Sequence, residues 1–377
     1  MAGHLGWQHR GISPSAERKA FVPTFAATET GRALALIACL LGVLIAQAGP
    51  MPAAFQWIGK IARLLEPAAF PAFLAFAGIA ARNCLRQPWD YIVRRDGAPA
   101  LAGAAIWIAL VLASWLLARR FGADSISAAS LRAATSGWEI PGLVLLPVTM
   151  VAAFRAARGI RPVLVVTIAV LLNLWNVQSG VPLLDAALHG FIYFAAGALF
   201  ARWFRGLAAW SAGHRTPALI MLCVWAVYNA LASLQPLAPI GGATLSTLPF
   251  AGLGLGLAGA CVAAIAAGLL TGRRSSPADS RGLLRIAGHS GVWPALAVAT
   301  PVAVAVSAQV LTLAGLAPSH GGALAIFISM ICAGLATAAA LVLIRSAATA
   351  APEAPTLARL NSHAQGQISG QISGRNR

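Results

Sequence analysis

Glu29 and Arg32 stand one helical turn apart at the head of a long apolar run, ETGRALALIACLLGVLIAQAG, residues 29–49. An arginine dragged into lipid costs roughly 3 kcal/mol or more, so Arg32 must sit at the membrane interface or turn into a protein cavity. An acid at i−3 can hold it there as an ion pair, which makes Arg32 the first candidate for chemistry and Glu29 its partner. Asp185 and His189 offer a second spacing of interest, i and i+4, which suits an acid–base pair and equally suits a hydrogen bond at a helix end. Asn173, Tyr228, Asn229, Ser307, Gln309 and Ser329 are further polar residues within apolar runs. Each either lines a cavity or bonds a neighbouring helix or its own backbone. The cysteines Cys39, Cys84, Cys223, Cys261 and Cys332 show no C-x-x-C spacing, so neither a disulfide framework nor a metal site is expected.

The elements that must position these residues are membrane helices. Hydrophobic residues make up 59% of the 377 and charged residues 10%, with a mean hydropathy of +0.77. That balance excludes an ordinary soluble domain and matches a polytopic membrane protein. A net charge of +17 would suggest nucleic acid in a soluble chain. Here the basic residues fill short breaks between apolar runs, as a topology signal does, so no nucleic-acid partner is expected.

A span needs about 20 mostly apolar residues, and ten stretches fit: 32–49, 66–82, 99–118, 139–157, 160–176, 186–204, 216–235, 246–270, 290–316 and 321–344. The segment 54–65, AFQWIGKIARLL, is too short and carries Lys60 and Arg63, which predicts a separate amphipathic helix at the interface. With the N-terminus inside, only Lys60, Arg63, Arg119, Arg120 and Arg132 of the 27 basic residues fall outside, so both termini are expected in the cytoplasm. The N-terminal stretch MAGHLGWQHRGISPSAERKA has no apolar core and is not read as a cleavable signal.

All ten carboxylates fall in loops or at span ends, which weakens the case for an ion-coupled transporter. Gly252, Gly254, Gly256 and Gly259 lie in an apolar run with no strand before them, so close helix packing is expected there rather than a dinucleotide loop. The domain reading is a cytoplasmic N-terminal segment over 1–28, a membrane domain over 29–346, and a disordered cytoplasmic tail over 347–377.

Several segments, taken in order, resemble the acyltransferase-3 family of integral membrane O-acyltransferases. Glu29, Arg32 and Ala33 hold the places of the acid, arginine and small residue that open that family's first span. FPAFLAFAGIAAR resembles its Phe-rich second span, with Gly78 in place and Ala77 where serine is common. YIVRR, with Tyr91, Arg94 and Arg95, is similar to the segment leading into span three, although DGAPALAG then replaces the usual Arg and Pro. LLRIAGHSGVWPALAV supplies Leu283, Leu284, Ile286, Gly288 and Ser290 before span nine, with Trp293 at a tyrosine position, and Arg345 resembles the closing basic residue.

The resemblance implies an all-α polytopic integral membrane protein of about ten transmembrane helices in a bacterial inner membrane. It implies O-acyl transfer to an envelope glycan or glycolipid from a cytoplasmic acyl donor such as acyl-coenzyme A, with no cofactor. Arg32, Arg94, Arg95 and Tyr91 would then meet the donor's phosphates, although Arg94 and Arg95 also suit contact with lipid phosphates. One departure touches the chemistry itself. The family's first-span His, eleven residues after the arginine, is replaced by Val43, and Leu296 stands near the ninth-span His position. Valine cannot take and return a proton. His289, in GHS before span nine, is the nearest substitute by motif, and it also suits an interfacial histidine. A catalytically silent relative acting as a scaffold or as a carrier of lipid-linked sugar remains the alternative, with a small-molecule transporter third.

Overall fold

The computed structural model describes residues 14–47, 56–85, 87–121, 139–175, 179–236 and 244–271, all within one unit, Met1–Thr337. In chain order the helices are α1 (Pro14–Gln47), α2 (Gln56–Cys84), α3 (Trp89–Ile92), a π-helical turn (Val93–Gly97), α4 (Ala98–Phe121), α5 (Glu139–Ala156), α6 (Pro162–Leu174), α7 (Pro182–Leu199), α8 (Ala201–Gly213), α9 (Arg215–Leu234) and α10 (Pro249–Thr271). Short 3-10 turns occupy Ala157–Gly159 and Leu245–Thr247. One isolated antiparallel bridge, Pro236 with Thr244, is the sole β contact among the described residues.

Five of these helices are long and apolar enough to cross a membrane: Gln56–Arg82, Ala98–Leu116, Pro182–Leu199, Arg215–Leu234 and Pro249–Thr271. Two shorter apolar helices, Pro141–Ala156 and Pro162–Leu174, accompany them. The chain is therefore a helical membrane protein. Each of the first eight expected spans coincides with a helix, while 290–316, 321–344 and the tail 347–377 lie outside the described residues.

Three expectations change in detail. The first helix starts at Pro14 and continues through the expected boundary at 28/29 without a break, so Glu29 and Arg32 lie mid-helix rather than at a helix head. The segment 54–65 is no separate interfacial helix: from Gln56 it continues into the next span as the 29-residue α2, with Pro67 and Pro71 inside. Prolines are tolerated within membrane helices when neighbours satisfy the loosened backbone. Here Asn229 of α9 donates its amide to the Leu64 carbonyl at 2.7 Å, in the turn just before Pro67. The sixth apolar run also ends early, at Leu199, where Phe200 breaks the helix before α8 begins.

α2 is the axis of the assembly, packed on by α1, α7 and α10. Small residues set these seams. A Cβ on Gly78 would run into the Phe194 carbonyl of α7, and one on Gly197 would run into the Ala75 carbonyl of α2, so backbone meets backbone at both positions. On α10, Gly256 receives the Tyr193 ring and Gly259 receives Ala68. That is the packing role expected of this glycine-rich run. Phe73, Leu74 and Phe194 fill the space between the seams and are wholly buried.

Candidate functional site

The site grows from α1. Thr28, Glu29, Thr30 and Arg32 are all buried, Arg32 to 5% exposure. Gly31 is pressed against the Phe76 ring of α2, so the helix turn that carries both charges lies flat on α2. The Arg32 guanidinium sits 6.0 Å from the centroid of the Phe73 ring, within range of a cation–π attraction. Of the two positions open to an arginine in an apolar run, the structure uses the protein cavity.

Arg32 lines a cleft with Ala77, Ala80 and Ala81 of α2, Asp96 of the π turn, and Pro147, Val148 and Val151 of α5. About 20 Å³ of it can centre water molecules, which is room for one or two waters. The alanines leave this space because a larger side chain at any of them would fill it.

Asp96 is the functional candidate that the sequence reading passed over. Its place between apolar runs predicts a loop carboxylate, whereas Val93–Gly97 forms a π turn between α3 and α4. The wider turn shifts the helix phase. Arg94 is left exposed, while Asp96 is part-buried and reaches the Arg32 cleft. Such turns occur often at functional sites. The one available signal was the departure DGAP, where the resemblance leads one to expect Arg and Pro.

The approach to the π turn is fixed from α5. Arg155 donates to the Gln87 carbonyl and stacks its guanidinium over the Trp89 ring, 4.4 Å from the centroid. This double hold anchors the segment that carries Tyr91, Arg94 and Asp96. Tyr91 and Arg94 are exposed, and neither lines the Arg32 cleft. Arg95 belongs to the π turn by its backbone. His289 lies outside the described residues.

Val43 stands three turns along α1 from Arg32, about 16 Å at the helical rise, on the same face. It is partly buried and packs against the apolar core. That position contributes no proton-transfer group.

The spacing of Asp185 and His189 resolves differently. Asp185 accepts the Ser179 backbone amide at 2.6 Å, closing the turn into α7 beside Gly180, whose φ of 77° suits a glycine. The His189 carbonyl takes a 2.8 Å bond from Asn173 of α6. The first is a helix-end bond to the Asp185 carboxylate and the second an interhelical bond to the His189 backbone, and the Asp185 and His189 side chains remain electrostatic neighbours. Asn229 is likewise absorbed by its bond to Leu64 and by Ser233, which donates to it at 3.3 Å. Among the described residues no cluster of three or more His, Cys, Asp or Glu side chains comes together.

The comparisons with known proteins add no name to this geometry: no family model, no curated protein and no solved structure matches the chain.

Proposed function

We propose that the chain is an acyltransferase-3-like membrane protein that transfers an acyl group from a cytoplasmic donor to a hydroxyl of an envelope carbohydrate. The observation that carries this reading is the buried Arg32, one helical turn from the buried Glu29 and lining one cleft with Asp96 inside a membrane bundle. A buried charge of this kind is costly, and its retention in a membrane helix marks function by default.

Arg32 would hold negative charge on the donor, either a phosphate or the oxygen of the acyl carbonyl under attack. Asp96 would take the proton of the acceptor hydroxyl as its oxygen attacks the acyl carbon. As the carbon–sulfur bond of a thioester donor breaks, the departing thiolate would receive that proton from Asp96. Admission of a donor to so small a cleft requires α5 to move. Pro147 in the cleft wall removes a hydrogen bond from that helix and supplies the place to bend. The family resemblance supports a bacterial inner membrane as the setting, and the distribution of basic residues supports both termini in the cytoplasm. The partners would be membrane lipids, the acyl donor and the glycan acceptor.

The packing of Val43 into the core favours one second reading, a silent relative that keeps the bundle as a scaffold or carrier. Acyl transfer from labelled acyl-coenzyme A to envelope glycans, in membranes holding the native chain, Arg32→Ala, Asp96→Asn or Val43→His, separates the two. Transfer by the native chain that is lost in Arg32→Ala and Asp96→Asn supports the enzyme. Transfer seen only in Val43→His supports the silent relative.

A further inference from the structure

The elbow between α7 and α8 carries a second basic constellation, distinct from the Arg32 cleft. α8 has 13 residues, too few to cross a bilayer. It buries Ala201, Phe204, Ala208 and Ser211, a stripe at helical spacing that packs on α10 and α1. Ser211 secures the far end by donating to the Ile265 carbonyl of α10 at 3.0 Å. Phe200 at its N-cap and Trp203 in its first turn are each 55% exposed. Aromatic side chains and arginines together on a short amphipathic helix are the pattern of an element lying in the lipid headgroup layer.

Three guanidiniums converge at the start of this helix. Arg82, in the last turn of α2, reaches across to the Leu199 carbonyl at 3.4 Å. Arg205 bends back to the Ala201 carbonyl through Nε at 3.1 Å. Arg202 precedes it by one turn and is exposed. The groups that act on Arg205 are its own burial and the charges of Arg82 and Arg202, all of which lower its pKa, and no carboxylate among the described residues offsets them. Like charges gathered at a membrane surface are stabilised by a bound anion, and basic pockets between membrane helices hold phosphate headgroups in this way.

We propose that the α7–α8 elbow is a binding site for the phosphate headgroup of an anionic membrane lipid, gripped by Arg82, Arg202 and Arg205, with the acyl chains lying along Phe200 and Trp203. The site needs only that the chain sits in a membrane and does not depend on acyl transfer.

The test is native mass spectrometry of the full-length protein, titrated with phosphatidylglycerol, with phosphatidylcholine, and with inorganic phosphate as competitor. The native chain should retain phosphatidylglycerol in preference to phosphatidylcholine, and millimolar phosphate should not displace it. Arg202→Gln and Arg205→Gln should each weaken retention about fivefold, the effect of one basic residue at a lipid surface. Arg202→Lys should keep most of it, and Arg119→Gln at the end of α4 should change nothing. Arg202 is exposed and makes no fold-holding bond among the described residues, so its variant carries the test even if Arg205→Gln misfolds. Unchanged retention in Arg202→Gln, equal retention of the two lipids, or displacement by free phosphate would each overturn the proposal.

Discussion

α2 and α4 are nearly equal in mean hydropathy, yet 61% of the α2 span is buried inside the protein against 22% of the α4 span. Leu101, Ile106, Ile108, Leu112, Trp115 and Leu116 of α4 are all exposed. In water such a surface would collapse. In a bilayer the lipid tails satisfy it, so apolarity does not decide which helix is central. What sets α2 apart is its side-chain size: AFPAFLAFAGIAA alternates large rings with alanine and glycine, so that neighbouring backbones close onto Ala75 and Gly78. Small residues set the seams between helices here, while the large aliphatic residues of α4 face outward.

Substitutions that exchange those roles give the sharpest contrast. Gly78→Leu must push α7 off α2 and should cost about 3 kcal/mol or more, read as loss of a monodisperse folded species in thermal unfolding of the detergent-solubilised protein. Arg32→Ala should leave the seams intact and lower acyl transfer about a hundredfold, the scale for losing one stabilising donor at a reacting charge, with Arg94→Ala changing it much less. Asn229→Leu removes the bond to Leu64 and should cost about 1 kcal/mol, since interhelical bonds in membranes are worth roughly that. Ile108→Ala, on the exposed face of α4, should shift unfolding by less than about 0.5 kcal/mol. A cost for Ile108→Ala comparable with that for Gly78→Leu would break the contrast and show that α4 is covered by protein.

Much of the helical frame was legible because hydropathy reports what a segment requires from lipid, and the first eight apolar runs each became a helix. Boundaries were harder. The charges Lys60 and Arg63 suggested a helix separate from the second span, but they lie on the exposed side of a continuous α2, where long basic side chains can reach polar surroundings. The end of α7 at Phe200 left no mark in an apolar run that continues through Phe204. Of the cleft, the need of Arg32 for a protein cavity or an interface was legible from its charge in an apolar run. Asp96 was not, because a π turn changes which residues of YIVRRDG face inward, and composition says nothing of phase. Arg82 was legible only as a topology signal, since nothing in its separation of more than a hundred residues from Arg202 and Arg205 tells that they meet.

What the chain's own residues determined is the class of protein, its helices, and the presence of a charged pair that lipid cannot accept. These follow from transfer energies and local backbone preferences, which act residue by residue. Only the tertiary structure decided that α2 is central, that Arg32 turns into a cleft with Asp96, and that three distant arginines share one elbow. Those depend on how closely backbones can approach and on which face each helix turns inward, and both are set by neighbours rather than by the segment itself.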